Sequence, residues 1–119
     1  MSLEQMLKQV KQHPAFDRVG MVLCHNGVVR GTSRDGRRTS GLQVRVDHRR
    51  LEEIVTAQKK RPGIVEILVE IHENQPLGVG DDVMFIVVAG DIRENVIETL
   101  SDTLDAIKSS ATTKTQFFV

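Results

Sequence analysis

Two runs of apolar, largely β-branched residues constrain this chain more than any other feature. Gly63 to Glu73 carries Ile64, Val65, Ile67, Leu68, Val69 and Ile71, and Val83 to Ala89 is apolar at nearly every position. Side chains of this kind are stiff at χ1 and pack well on a pleated surface, so both runs are expected to be central strands of a sheet. Between them Asn74-Gln-Pro-Leu-Gly-Val-Gly-Asp81 has the proline and glycines of a turn, and it is too short and too polar for a domain linker. A chain of 119 residues, 39% of them hydrophobic, supports one domain around one core, taken here as residues 1–119.

The flanking segments have helical period and helical punctuation. Ser2 with Gln5 forms a capping box, after which Leu3, Met6, Leu7 and Val10 recur at helical spacing until His13-Pro14 stops the segment. Asp47 is placed to cap a helix from about His48 to Lys60, with Leu51, Ile54 and Val55 on its inner face and Arg61-Pro62-Gly63 as its stop. Asp91 with Glu94 reads as a second capping box, opening a helix to about Ser109 along Ile92, Val96, Ile97, Leu100, Leu104 and Ile107. Val19 to Cys24 reads as a buried strand. Leu42, Val44 and Val46 alternate with polar neighbours as a half-exposed strand, and the two are expected to pair as a long hairpin. Ala111 to Val119 is left as a tail. The order α-β-β-α-β-β-α predicts an α+β domain with an antiparallel or mixed sheet and helices packed on one side.

The strand from Gly20 ends at Arg30, so a fixed cation stands at a strand end. The following Gly31-Thr-Ser-Arg-Asp-Gly-Arg-Arg-Thr-Ser-Gly41 adds Arg34, Arg37 and Arg38 among three glycines. Guanidinium forks beside free backbone N–H groups suit a phosphate or carboxylate, and the same composition suits a solvated loop. Lys108 falls in the last turn of the final helix and Lys114 in the tail, so a tail folding back over the sheet brings both amines to the arginine side. Neighbouring cations lower a lysine pKa, and the neutral amine serves as nucleophile or base; the helix macrodipole alone also favours a lysine at that end.

Other chemistries lack their residues. Sixteen basic side chains balance sixteen acidic ones, and tryptophan and tyrosine are absent, so neither global charge nor aromatic stacking supports a nucleic-acid binder. His13, His25, His48 and His72 lie on separate elements with no metal-ligand spacing, and Cys24, the single cysteine, is expected to be a small buried hydrophobe. Gly78-Val-Gly80 joins two strands and opens no helix, unlike a nucleotide-binding loop. No apolar run nears the ~20 residues needed to span a bilayer and the N-terminus lacks a signal-peptide core, so a cytoplasmic protein is expected.

Together these pieces resemble the large, catalytic subunit of molybdopterin synthase, the MoaE-like family. The resemblance runs from the glycine and apolar strand at Gly20 to Gly27-Val28-Val29-Arg30, through the strand Ile64 to Ile71 followed by His72-Glu73, to the turn Leu77-Gly78-Val79-Gly80-Asp81. It continues through Val83 to Ala89 and the helix opening at Asp91-Ile92-Arg93, covering Gly20 to Lys114. Residues 1–19 are set apart as a helical segment that does not match. The resemblance implies molybdenum cofactor biosynthesis by a cytoplasmic homodimer that takes a small ubiquitin-like sulfur-carrier subunit as partner. Sulfur passes from the carrier's C-terminal thiocarboxylate to cyclic pyranopterin monophosphate, a sulfurtransferase step with no metal or other cofactor. It implies Lys108 and Lys114 as catalytic residues and Arg30 and Arg93 as substrate-binding residues, with Arg34, Arg37 and Arg38 added from the basic loop. Ile92 stands where the family has a histidine, and the ending from Lys108 lacks the family's proline and tryptophan. Two further readings fit these departures: a non-catalytic dimeric binding module on the same fold, and a small-anion-binding protein.

Overall fold

The structure is a computed structural model that describes residues 1–119. Helix α1 (Leu3–Lys11) opens with its reciprocal cap in place: the Gln5 N–H donates to Ser2 Oγ at 3.1 Å, and the Ser2 N–H donates to Gln5 Oε1 at 2.8 Å. After a 3₁₀ turn at Phe16–Arg18 come β1 (Met21–Val28), β2 (Thr39–Val46), α2 (His48–Lys59), β3 (Ile64–Ile71), the short β4 (Leu77–Gly78), β5 (Asp82–Gly90), α3 (Arg93–Ser110) and β6 (Thr112–Phe118). Asp47 caps α2, its carboxylate accepting from the Arg50 N–H at 3.1 Å.

The α+β class is as expected, and β3 and β5 are the central apolar strands, but the pairing differs from a single sheet with a hairpin. One antiparallel sheet has the order β1-β5-β3 and a second has the order β4-β2-β6. Thus β1 pairs with β5, β2 pairs with β6, and β1 and β2 do not meet. The connection between β1 and β2 carries β2 into the other sheet, where α3 has delivered the chain end. The residues after Ala111 are therefore a strand and not a tail, with Val44 opposite Lys114 and Val46 opposite Thr112.

The helices also occupy both faces of the first sheet. Met84, Ile86 and Val88 of β5 join Ile54, Ile67, Val96 and Ile107 in the main core under α2 and α3. Phe85, Val87 and Ala89 face the other way and are covered by Met6 and Val10 of α1. A strand apolar at every position needs cover on both faces, and the amphipathic α1 supplies the second. Arg61 ties α2 to α3, donating to Asp102 at 2.7 Å.

Two local expectations change. Asp91 is not the N-cap of α3: Ile92 holds that position without a side-chain cap, and the Asp91 carboxylate instead accepts from the Ile92 N–H at 2.7 Å and the Asn95 amide at 2.9 Å. Cys24 is exposed, on the face of β1 that it shares with Val22, and is not the small buried hydrophobe expected. Partial desolvation pushes its thiol pKa up, away from thiolate chemistry.

Candidate functional site

The two sheets meet along a seam where the end of β1, the middle of β2, the last turn of α3 and the start of β6 converge, and a two-lobed cavity opens there. The smaller lobe, about 330 Å³, has an apolar wall of Leu42, Val44, Val83 and Met84 and a polar wall of His25, Arg34, Lys108 and Lys114. The larger lobe, about 570 Å³, shares Val28, Arg34, Leu42, Lys108 and Lys114 and adds Arg30, Thr32, Thr39 and Gln116. No carboxylate lines either lobe. A concavity with four fixed cations and neutral donors is complementary to an anion.

Each cation is held there by local structure. The Leu77–Asp81 turn clamps the end of β1: the Val29 N–H donates to the Asp81 carbonyl at 2.9 Å, and the Gly80 N–H to the Val29 carbonyl at 2.9 Å. Gly80, at φ 92°, supplies the left-handed conformation this turn needs. Arg30, next in the chain, donates from Nε to the Thr32 carbonyl at 2.9 Å, while its own carbonyl accepts from Thr39 Oγ1 at 2.7 Å. The β1–β2 connection folds on itself: Ser33 donates to the Asp35 carboxylate and pairs through its backbone with Arg37, which leaves Arg34 turned into the cavity. That bond, with the Arg37 N–H and guanidinium, lowers the Asp35 pKa. Lys108 stands at the negative end of α3 and Lys114 two residues into β6 from the edge of the cavity at Thr112.

Of the residues expected at a site, Arg30, Arg34, Lys108 and Lys114 come together. Arg37 and Arg38 do not line the cavity. The Arg37 guanidinium stacks 3.7 Å from the Phe118 ring centroid, and the Arg38 carbonyl accepts from the Val119 N–H at 3.1 Å, so both fasten the loop to β6. Arg93 pairs with Glu94 at the start of α3, fifteen residues and roughly 22 Å of helix from Lys108.

His25 belongs to the cavity and was not among the expected site residues. Burial, and after it the Lys108 ammonium, lower its pKa, so the ring is neutral at pH 7. The signal for it is the period of β1: His25 shares a face with Met21 and Leu23, which pack into the core under α3, whereas Val22 packs toward α1.

These features define a small α+β protein with a cationic cleft at a sheet seam. A family model for the MoaE protein matches residues 1–110, the N-terminal helix included, and the chain belongs to that family and to molybdenum cofactor biosynthesis. Solved structures share the fold at low identity. A molybdopterin synthase from Staphylococcus aureus is 20% identical, with a TM-score of 0.79 over 100% of this chain and 86% of that one. Molybdopterin cofactor biosynthesis protein E from Burkholderia multivorans is 20% identical, with a TM-score of 0.77 over 100% of this chain and 84% of that one. A complex of subunits 1 and 2 of molybdopterin-converting factor from Helicobacter pylori contains a chain 18% identical, with a TM-score of 0.70 over 100% of this chain and 84% of that one. No curated protein matches the chain. No helix is long and apolar enough to cross a membrane.

Proposed function

We propose that this protein is the sulfur-transferring large subunit of a molybdopterin synthase, binding cyclic pyranopterin monophosphate and the C-terminal thiocarboxylate of a small ubiquitin-like carrier in the two lobes of the seam cavity. The observation that carries the reading is the convergence of Arg30, Arg34, Lys108 and Lys114 on a cavity without a carboxylate. Both ligands are anions, and both reacting groups must lie side by side. Lys108 and Lys114 border both lobes, where a group acting on atoms exchanged between two bound partners has to stand. Arg30 and Arg34 hold the phosphate by charge-assisted hydrogen bonds. The two-subunit assembly of the Helicobacter pylori relative supports a small-subunit partner.

Arg93 enters this reading only through a second copy of the chain. About 22 Å of helix separates it from Lys108 in one protomer, so a homodimer that brings one α3 start to the other chain's cavity is required for it to touch substrate. Mixing two variants tests dimer and site together. Arg93→Ala and Lys108→Ala each lack conversion of cyclic pyranopterin monophosphate with a thiocarboxylated carrier, and their mixed dimers regain roughly a quarter of wild-type turnover, because half the dimers then carry one intact site of two. Absence of recovery overturns the shared site. Wild-type protein that binds carrier and pterin without turnover identifies a binding module, with Ile92 and the altered ending as the changed residues.

A further inference from the structure

The cavity contains one titratable ring that the reading above leaves without a role. Three of the four histidines have a ring nitrogen engaged: His13 Nδ1 accepts from the Ala15 N–H at 3.0 Å, His48 Nε2 lies 2.8 Å from Glu73, and His72 Nδ1 lies 2.8 Å from the Asp82 carbonyl. His25 has no such partner and lines the smaller lobe. Gly27, two residues along the same face of β1, leaves its ring nitrogen open, since a Cβ built there would lie 3.1 Å from His25 Nε2.

We infer that His25 is a proton-exchanging anion contact of this pocket, a neutral ring in the empty site that takes up a proton and becomes an added N–H donor when a tetrahedral dianion binds. The argument is one of charge. Lys108 enters the same lobe from α3, Lys114 from β6 and Arg34 from the β1–β2 connection, while β5 contributes only Val83 and Met84. Partial burial opposes a proton on the imidazole, the Lys108 ammonium opposes it further, and no carboxylate lines the lobe to offset them. A bound dianion offsets most of the positive charge in the lobe, so anion binding and protonation of His25 favour each other by linkage. The consequence is an affinity that rises as pH falls through the histidine range.

The inference rests on the anion-site reading of this cavity, and sulfate separates the two, because its own charge does not change near neutrality. In calorimetric titrations of the full chain, wild-type affinity for sulfate is expected to rise about tenfold between about pH 8 and about pH 5.5, the factor for a one-unit displacement of one pKa. Binding near pH 6.5 should take up a fraction of a proton, read from the buffer dependence of the heat. In His25→Gln, which retains an amide donor but cannot titrate, the rise should fall to about twofold or less, and proton uptake should vanish. The His25 ring resonance in wild-type protein gives a readout independent of any variant: sulfate should raise its titration midpoint. A His25→Gln protein with the wild-type pH response, or an unmoved midpoint in the presence of bound sulfate, overturns the role of His25 alone. No sulfate binding at either pH overturns the anion site and the inference with it.

Discussion

Lys108→Ala is the substitution that best separates binding from folding. The side chain is exposed in the last turn of α3, where its contribution to stability is the helix-dipole interaction, about 0.3–1 kcal/mol. The flanking Ser109 and Ser110 hydroxyls donate to the Ala106 carbonyl without it, so the helix end keeps its local bonds. Its contribution to binding is larger. A charge-assisted hydrogen bond in a partly desolvated site contributes about 1.5–3 kcal/mol, and at 1.4 kcal/mol per decade its loss weakens affinity by roughly 10- to 150-fold. Because Lys108 borders both lobes, the loss should appear for the phosphorylated pterin and for the carrier terminus alike. Calorimetric titration with cyclic pyranopterin monophosphate, beside urea unfolding, measures both quantities on one preparation. Arg37→Ala is the control from the neighbouring loop: its guanidinium is committed to Phe118, so it should leave pterin affinity unchanged. An Lys108→Ala protein that binds the pterin within twofold of wild type would refute the placement of the ligand, and one that loses more than about 2 kcal/mol of stability would refute the surface role assigned to the amine.

Two further outcomes concern the fold. Met6→Ala removes the larger of the two buried side chains of α1 from the cluster with Phe85 and Val87, where Met6 is 1% exposed, and should cost about 2–5 kcal/mol in urea unfolding; a cost below about 1 kcal/mol would mean that α1 is not seated on the sheet. Asp91 has its pKa lowered, first by the Asn95 amide and then by the Ile92 N–H, so its stabilising effect is full above the unfolded value near 3.8 and is lost as pH falls through the lower folded value. Asp91→Asn should therefore flatten the loss of stability below about pH 4, and an unchanged acid profile would count against those two bonds.

How far the sequence carried depended on whether a feature is local. Apolar period located α3, β3 and β5, and together with capping residues α1 and α2, because these signals are encoded within a few residues. Strand pairing is not local. Nothing within Val19 to Val46 distinguishes a hairpin from two strands that separate into different sheets, and β2 finds β6 across some seventy residues of sequence. The last strand escaped for a related reason: Thr112 to Phe118 is exposed at most positions, so it lacks apolar alternation, and its strand conformation comes from the ladder offered by β2.

The site divides along the same line. Composition treats Arg34, Arg37 and Arg38 as equivalent, and what separates them is a fold within the loop, the Ser33 bond to Asp35, which turns Arg34 into the cavity and sends Arg37 to Phe118. Lys108 and Lys114 were legible because their helix and the chain reversal after it bring them near a strand end, an argument needing only chain order. His25 needed one step more, the alternation of β1 combined with knowledge that α3 covers the Met21 and Leu23 face. Arg93 is the opposite case. Its residue type and motif fit an anion site, yet a straight helix of eighteen residues holds its two ends apart, so any catalytic role for it is a property of two chains and not of one. Residue type proposes chemistry, and the rigid elements between two residues decide whether one protomer can perform it.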